Sequence, residues 1–242
     1  IIDNEISIGA RIVDHDKFKT HTTYNLNWGR DLSSTLRVNG SYGTASNLPN
    51  HYDQNLNIVA GRTTLKRELS KNLELGLTGD YEWGNVELKV YKSKSTDALS
   101  YIGGATPYYI NSGTVNIRGA ELSLGTDLLG WDLDTSIDYN KAINASTGLQ
   151  KGRRPNRSIS LNLSKTSGKW KRNINWIAKS RAWDNNSHST GEIGGYGLLN
   201  LSTSYHFTED LSVYLNRNNA LDKTYEMAKG YNTLGKTTTL GL

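Results

Sequence analysis

Asp132, Asp134 and Asp138 set three carboxylates within seven residues. Paired carboxylates are the raw material of general acid–base catalysis, one donating a proton while another accepts it. Their even spacing, however, puts all three on one wall of a strand. A solvated polar face is the preferred reading over a catalytic pair. The five histidines (His15, His21, His51, His188, His206) show neither H-x-x-x-H nor H-E-x-x-H spacing, so no metal site is expected. Cysteine is absent, which removes thiolate chemistry and any disulfide framework. No Ser–His pairing is legible. Gly103-Gly104 and Gly194-Gly195 lack the strand–turn–helix setting of a phosphate loop. The chain therefore reads as neither an enzyme nor a cofactor carrier.

Two groups of residues could bind something. Tyr101, Tyr108 and Tyr109 lie in one long connection, Thr96–Thr114, and could form an aromatic platform for a ligand. Packing of that connection against its own base is the preferred alternative. Arg153 and Arg154 stand side by side before a strand, where guanidinium groups could hold an anionic cargo or a lipopolysaccharide phosphate. Simple solvation is again preferred.

The elements that must position these residues are strands. In Asn72–Trp83, Leu73, Leu75, Leu77, Tyr81 and Trp83 fall on one face, and Glu74, Thr78, Asp80 and Glu82 on the other. Trp131, Leu133, Thr135, Ile137 and Tyr139 likewise oppose Asp132, Asp134, Ser136 and Asp138. The pattern predicts about twelve strands: Asn4–Val13, Thr20–Trp28, Ser34–Thr44, Leu69–Trp83, Asn85–Ser95, Val115–Leu128, Trp131–Ile143, Asn156–Lys165, Lys169–Trp183, Gly197–Phe207, Leu211–Asn219 and Thr233–Leu242. No helix-period segment competes with them.

Connection lengths alternate. Short turns such as Gly84-Asn85 and Leu129-Gly130 are interleaved with long connections such as Ala45–Glu68, Thr96–Thr114 and Asp184–Tyr196. An up-and-down meander gives this alternation, and a Greek-key sandwich does not. Only 36% of the residues are hydrophobic, low for two sheets sharing a dry core but natural for a barrel with a wet lumen. Trp28, Trp83, Trp131, Tyr205 and Phe207 sit on the apolar side next to short turns, as a lipid-facing girdle would. Capping of a soluble core by these aromatics is the alternative.

The fold expected is all-β: a transmembrane up-and-down antiparallel β-barrel of about twelve strands. Glu74, Thr78, Asp80, Glu82, Asp132, Asp134 and Asp138 would line its lumen. The net charge of +5 is spread along the chain without a nucleic-acid motif, so no nucleic-acid partner is expected. No apolar run approaches the roughly 18 residues of a membrane helix.

Three segments go further. Ser41–Asn50 (SYGTASNLPN), Ile117–Leu124 (IRGAELSL) and Asn218–Glu226 (NNALDKTYE) stand in an order and spacing that resembles TonB-dependent outer-membrane receptors. The resemblance aligns nearly the whole chain with the carboxyl-terminal part of such a receptor's barrel. It implies a bacterial outer-membrane location, outer-membrane lipid or detergent as surroundings, and the barrel-assembly machinery as a partner of the parent class. That class imports ferric siderophores, haem or cobalamin. TonB engages it through a plug, and nothing in this chain resembles one. The expectation is thus a single barrel domain over residues 1–242 that is at most a passive pore. The alternative is an engineered scaffold without transport.

Departures from the family pattern support truncation or engineering. Gly61–Glu68 lacks the family's two prolines, Ala220-Leu221 replaces its Leu-Phe, and the terminal aromatic is missing. Lys92, Lys165 and Arg217 also continue apolar rows. A cation there costs about 2–4 kcal/mol at the bilayer midplane and about 0–1 near an interface. Lys165, beside a short turn, can reach the interface. For Lys92 and Arg217 two readings stand: they reach the headgroups, or the lipid-facing surface has been altered.

Overall fold

The computed structural model describes residues 4–62 and 64–242. Ile1–Asp3, the start of the expected strand entry, and Thr63, inside Gly61–Glu68, lie outside the described residues. The chain opens with β1 (Asn4–Val13), β2 (His21–Asp31) and β3 (Leu36–Asn47), followed by a helix, α1 (His51–Val59). Then come β4 (Glu68–Tyr81), β5 (Gly84–Thr96), β6 (Leu99–Ile102), β7 (Tyr108–Asn111), β8 (Val115–Leu128) and β9 (Trp131–Asn144). It closes with β10 (Arg157–Ser167), β11 (Trp170–Lys179), β12 (Ala182–Trp183), β13 (Glu192–Ile193), β14 (Tyr196–His206), β15 (Ser212–Asn218) and β16 (Thr237–Gly241).

Twelve of these strands form one antiparallel sheet in chain order, β1 to β5, β8 to β11 and β14 to β16. The other four make two separate hairpins, β6–β7 and β12–β13. Each hairpin lies in a long connection of the meander. Contacts group the chain into two compact units. The first is Ile1–Leu77, Val90–Arg118 and Ala142–Gln150; the second is Thr78–Lys89, Gly119–Lys141 and Lys151–Leu242.

In the first unit, Ile6 lies opposite Trp28 and Ile8 opposite Leu26. Leu26 in turn faces Tyr42, and Trp28 faces Gly40. Opposed residues share a face, so the apolar residues of three strands form one continuous surface. A Cβ on Gly40 would meet Leu75 at 3.2 Å and Trp28 at 3.7 Å. The missing side chain is the notch into which that tryptophan and leucine settle. The reverse face is ionic: Arg37 bridges Glu5 at 2.6 Å and Asp31 at 2.9 Å.

The second unit repeats the division. Leu133 pairs with Leu163, Leu163 with Ile174, and Ile174 with Leu201. One residue along, Asp134 pairs with Asn162 and Asn162 with Asn175. Asn173 donates to Asn162 (2.6 Å), Asn200 to Asn175 (3.1 Å) and Ser202 to Asn216 (2.6 Å). The polar face is therefore a lattice of amide and hydroxyl hydrogen bonds, which serves wherever water can solvate the remaining lone pairs.

Neither face builds a dry interior. Among the described residues the buried apolar set is Leu65, Ala98, Val115, Ala142, Ala182 and Ile193, and no large side chain is fully buried. Ile8, by contrast, is 79% exposed and Leu75 51%. A soluble sandwich would show the reverse.

Several boundaries differ from those the pattern predicts. Ala45–Glu68 is not a bare connection, since it carries α1. Periodicity misses this helix because its buried residues are Asp53 and Asn57, while Tyr52, Ile58 and Val59 are exposed. A capping box starts it: Asn50 accepts from Asp53 N–H at 2.8 Å, and Asp53 accepts from Asn50 N–H at 3.1 Å. Thr96–Thr114 contains the β6–β7 hairpin. The predicted strand Lys169–Trp183 stops at Lys179: beyond it Ser180 N–H still donates to Arg157 O at 2.9 Å, but the Arg157 N–H goes to the Ser180 hydroxyl at 3.1 Å instead of a ladder carbonyl. Ala182-Trp183 joins β13 instead. The last strand is Thr237–Gly241 rather than Thr233–Leu242. Asp222 holds the segment before it by accepting Lys236 N–H at 2.9 Å.

Candidate functional site

The long connections carry the candidate binding residues, and each cluster is organised by buried polar groups. In the first unit, Asn57 of α1 is 3% exposed. Its amide donates to Tyr109 O at 2.9 Å and accepts from Tyr109 N at 2.7 Å. One side chain thus satisfies both peptide groups of a residue on the hairpin, as a neighbouring strand would. Asn111 extends the clamp by accepting Lys66 N–H at 2.9 Å and donating to Asp97 O at 2.7 Å.

This arrangement sorts the three tyrosines. Tyr101 and Tyr109 face each other across the hairpin, with ring centroids 5.4 Å apart and edge-to-face. Burial, followed by the neighbouring Asp53 carboxylate, raises the Tyr109 phenol above its ordinary value. Tyr108 points the other way and lies under the Arg62 guanidinium, 4.1 Å from its ring centroid. Tyr101 alone of the three is open to solvent, at 55%. The structure thus pairs two tyrosines and separates the third.

In the second unit Asp184 is the organiser. It is 8% exposed and accepts from Arg153 Nε, from Lys229 N–H and from the Thr190 hydroxyl, each at 3.0 Å. The Lys229 amide, then Arg153, hold its carboxyl below the ordinary range against the opposing effect of burial. Arg153 has a left-handed backbone (φ 55°) and donates its N–H to Trp183 O at 2.6 Å. Gly152 precedes it because a Cβ there would sit 2.6 Å from the Asn185 backbone. Arg153 is therefore engaged in holding its own connection together, and both it and Arg154 are exposed. Trp183 and His188 stack at 4.2 Å in the same cluster.

The NNALDKTYE segment is architectural. Asn219, 5% exposed and left-handed (φ 47°), donates to Lys223 O and accepts from Lys223 N–H, both at 2.9 Å. Its own N–H reaches Asn200 at 3.0 Å. The asparagine closes a turn that ends β15, and Asp222 then pairs with Lys236 at 3.2 Å. Sequence reasoning passed over Asp53, Asn57, Asp184 and Asn219 as site residues. For Asn219 the signal was its place in a motif; for Asp53 it was the capping spacing from Asn50.

On the sheet, Asp132 and Asp134 share the hydrogen-bonded polar face, and Asp138 accepts from the Ser158 hydroxyl at 3.0 Å. In the first unit Glu74 shares the face of Asn72, whose amide oxygen accepts from Ser93 at 2.6 Å. In the second, Thr78 and Asp80 stand at the end of β4 and Glu82 in the turn just after it. Trp83 stacks on Tyr81 at 5.3 Å, and Tyr205 contacts both Trp170 and Phe207 at 4.9 Å. Trp170 thus belongs with the aromatics singled out from sequence. Lys165 lies over Trp131 at 5.7 Å. Arg217, the penultimate residue of β15, donates to the Thr238 hydroxyl; the pKa of the Asp222 carboxyl is lowered first by the Lys236 N–H, then by the Lys236 ammonium, and least by Arg217. Trp28 occupies its notch in the first unit. Among the described residues no cluster of three or more His, Asp or Glu side chains is placed to hold a metal ion.

Comparison with known proteins places this geometry. The family model described as TonB dependent receptor-like, beta-barrel, matches residues 5–220. The vitamin B12 transporter BtuB of Photobacterium profundum is 28% identical over 242 residues, covering 96% of this chain and 39% of that protein. Among solved structures, the siderophore receptor PirA from Acinetobacter baumannii superposes with a TM-score of 0.80 at 18% identity, covering 97% of this chain and 42% of that one. A mutant of the ferric enterobactin receptor from Pseudomonas aeruginosa, in complex with enterobactin, gives 0.81 at 18% identity, with 97% and 42% covered. The chain spans about two fifths of the length of these relatives. At such identity the structural likeness speaks for the fold.

Proposed function

This chain belongs to the TonB-dependent receptor β-barrel family of the bacterial outer membrane, and we propose that it forms barrel wall and cargo-binding connections of an uptake receptor. The observation that carries this reading is the exposed apolar face. Among the described residues Ile8, Leu26, Leu75 and their neighbours form a continuous exposed surface, and lipid is the solvent that surface requires. Trp28, Trp83, Trp131, Tyr205 and Phe207 then serve as the interfacial girdle. Glu74, Thr78, Asp80, Glu82, Asp132, Asp134 and Asp138 face the aqueous lumen.

The cargo is a bulky metal chelate or corrinoid, the chemistry named for the relatives. Tyr101 and Arg154 touch it; Tyr108, Tyr109 and Arg153 hold the connections in place for them. Closed into a barrel, a sheet with a polar inner face offers solutes a passive path at most. Energised uptake additionally needs a plug and TonB. An engineered scaffold would share the geometry but show neither cargo binding nor conductance in planar bilayers.

The absence of cysteine makes the test direct. In vesicles, Glu74→Cys should react with a water-soluble maleimide and Leu75→Cys only with a lipid-soluble one. Equal labelling of the two by the water-soluble reagent would overturn the reading. For cargo, Tyr101→Ala with Arg154→Ala in the full receptor should weaken cobalamin or ferric-siderophore binding; unchanged affinity for all of them would remove these residues from the site.

A further inference from the structure

A second feature lies on the apolar face itself, in the first unit, at the ends of β2 to β5 that lead to the long connections. Tyr24 donates its N–H to the Thr44 hydroxyl at 2.8 Å, which sets these residues opposite each other. The contact between Gly40 and Leu75 sets Thr44 beside Lys71 four residues further along the same pair of strands. The Ser93–Asn72 hydrogen bond (2.6 Å) sets Lys71 opposite Lys94. One row across four strands therefore reads Tyr24, Thr44, Lys71, Lys94. The next row holds Tyr42, Leu73 and Lys92.

Like charges directly opposite each other on adjacent strands are destabilising. No acid relieves them: among the described residues no ion pair engages Lys71, Lys92 or Lys94. Glu68 and Glu74, each three residues from Lys71 along β4, belong to the other face, where Glu68 accepts from the Ser95 hydroxyl. A cavity of about 480 Å³ opens over the lysines, lined among others by Thr22, Tyr24, Tyr42, Thr44, Lys71 and Lys94. Two ammonium groups, two phenols, the hydroxyls of Thr22, Thr44, Thr96 and Ser70 and the His21 ring surround it, and no carboxylate lines the cavity.

We propose that this cavity binds the phosphorylated headgroup of an outer-leaflet lipid, with the phosphate between Lys71 and Lys94 and the acyl chains along the apolar face. A free phosphate would use the lysines alone. The lipid also uses Leu26, Leu73 and Leu75, which continue from the cavity along the exposed face. The phosphate cancels the repulsion between the lysines, and Lys92 adds a third positive charge one row away. The proposal rests on the reading that this face meets lipid.

The test titrates the chain in detergent micelles with diphosphorylated lipid A and its dephosphorylated form, bound lipid being counted by native mass spectrometry. Lys71→Gln/Lys94→Gln should weaken binding of the diphosphorylated lipid roughly 30-fold, from about 1 kcal/mol per lysine at an anionic lipid surface. Lys17→Gln/Lys66→Gln, which removes the same charge from connections in the same unit, should leave it unchanged. Equal loss in both double variants, or equal binding of the two lipids, would overturn the proposal. Displacement by millimolar inorganic phosphate without any dependence on acyl chains would replace it with a plain anion site. A chain that stays folded and soluble without detergent would instead overturn the membrane reading.

Discussion

The sheet leaves its large apolar residues exposed, whereas its long connections bury individual polar groups beside apolar ones such as Leu65 and Ala182. On the sheet, Ile8, Leu26, Leu75 and Leu201 are exposed, and the polar residues bond to one another. In the connections the buried side chains include Asp53, Asn57, Asp184 and Asn219. The sheet is stable where its surroundings dissolve its apolar face. The connections are held by hydrogen bonds whose partners are fixed one by one. A fold can therefore separate the medium that stabilises its frame from the contacts that shape its connections.

Mutations should divide along that line. Leu75→Arg has the largest expected effect, about 2–4 kcal/mol for a cation near the bilayer midplane, read by urea unfolding from liposomes. A cost below about 0.5 kcal/mol, the ordinary range for surface changes, would mean that residue 75 does not meet lipid. Asp184→Ala should cost about 1–3 kcal/mol, because Lys229 N–H and Thr190 lose their acceptor. Its signature is faster proteolytic nicking around Asp184–Gly191 while the sheet stays intact; loss of the sheet as well would erase the contrast. Asn50→Ala removes a helix cap and should cost about 1 kcal/mol, seen as faster amide exchange in α1.

Acid should act on the connections before the sheet. The Asp184 carboxyl is held below its ordinary value, so its contribution is complete above the unfolded carboxylate pKa of about 3.9. It is lost as pH falls through the lower folded value. Nicking of this connection should therefore increase below about pH 4 in the parent and be pH-independent in Asp184→Asn. Smallest of all, Asp134→Asn should change stability by less than about 0.5 kcal/mol, since its face is solvated.

The frame was legible in the sequence because lipid and water read it with a period of two. Leu73, Leu75 and Leu77 needed no partner to be recognised. β1 and β8 have the predicted ends, and the others drift by a few residues where side chains such as Ser180 take over from the ladder. The connections were not legible for the same reason. Asn57 finds Tyr109 across 52 residues and Arg153 finds Asp184 across 31, and no local period announces such pairs. α1 hid because an amphipathic helix is sought by its apolar stripe, and this one turns a polar stripe inward.

That inverted helix also sets how the connection responds to temperature. The heat-capacity change on opening tracks the apolar area newly wetted. With Ile58 and Val59 already in water, detaching α1 from Tyr109 wets little more. Its opening enthalpy should hardly vary with temperature, and chilling, which weakens apolar association, should leave it docked. The closed state of this connection is then not lost to cold, and a van 't Hoff plot of its opening should be nearly straight.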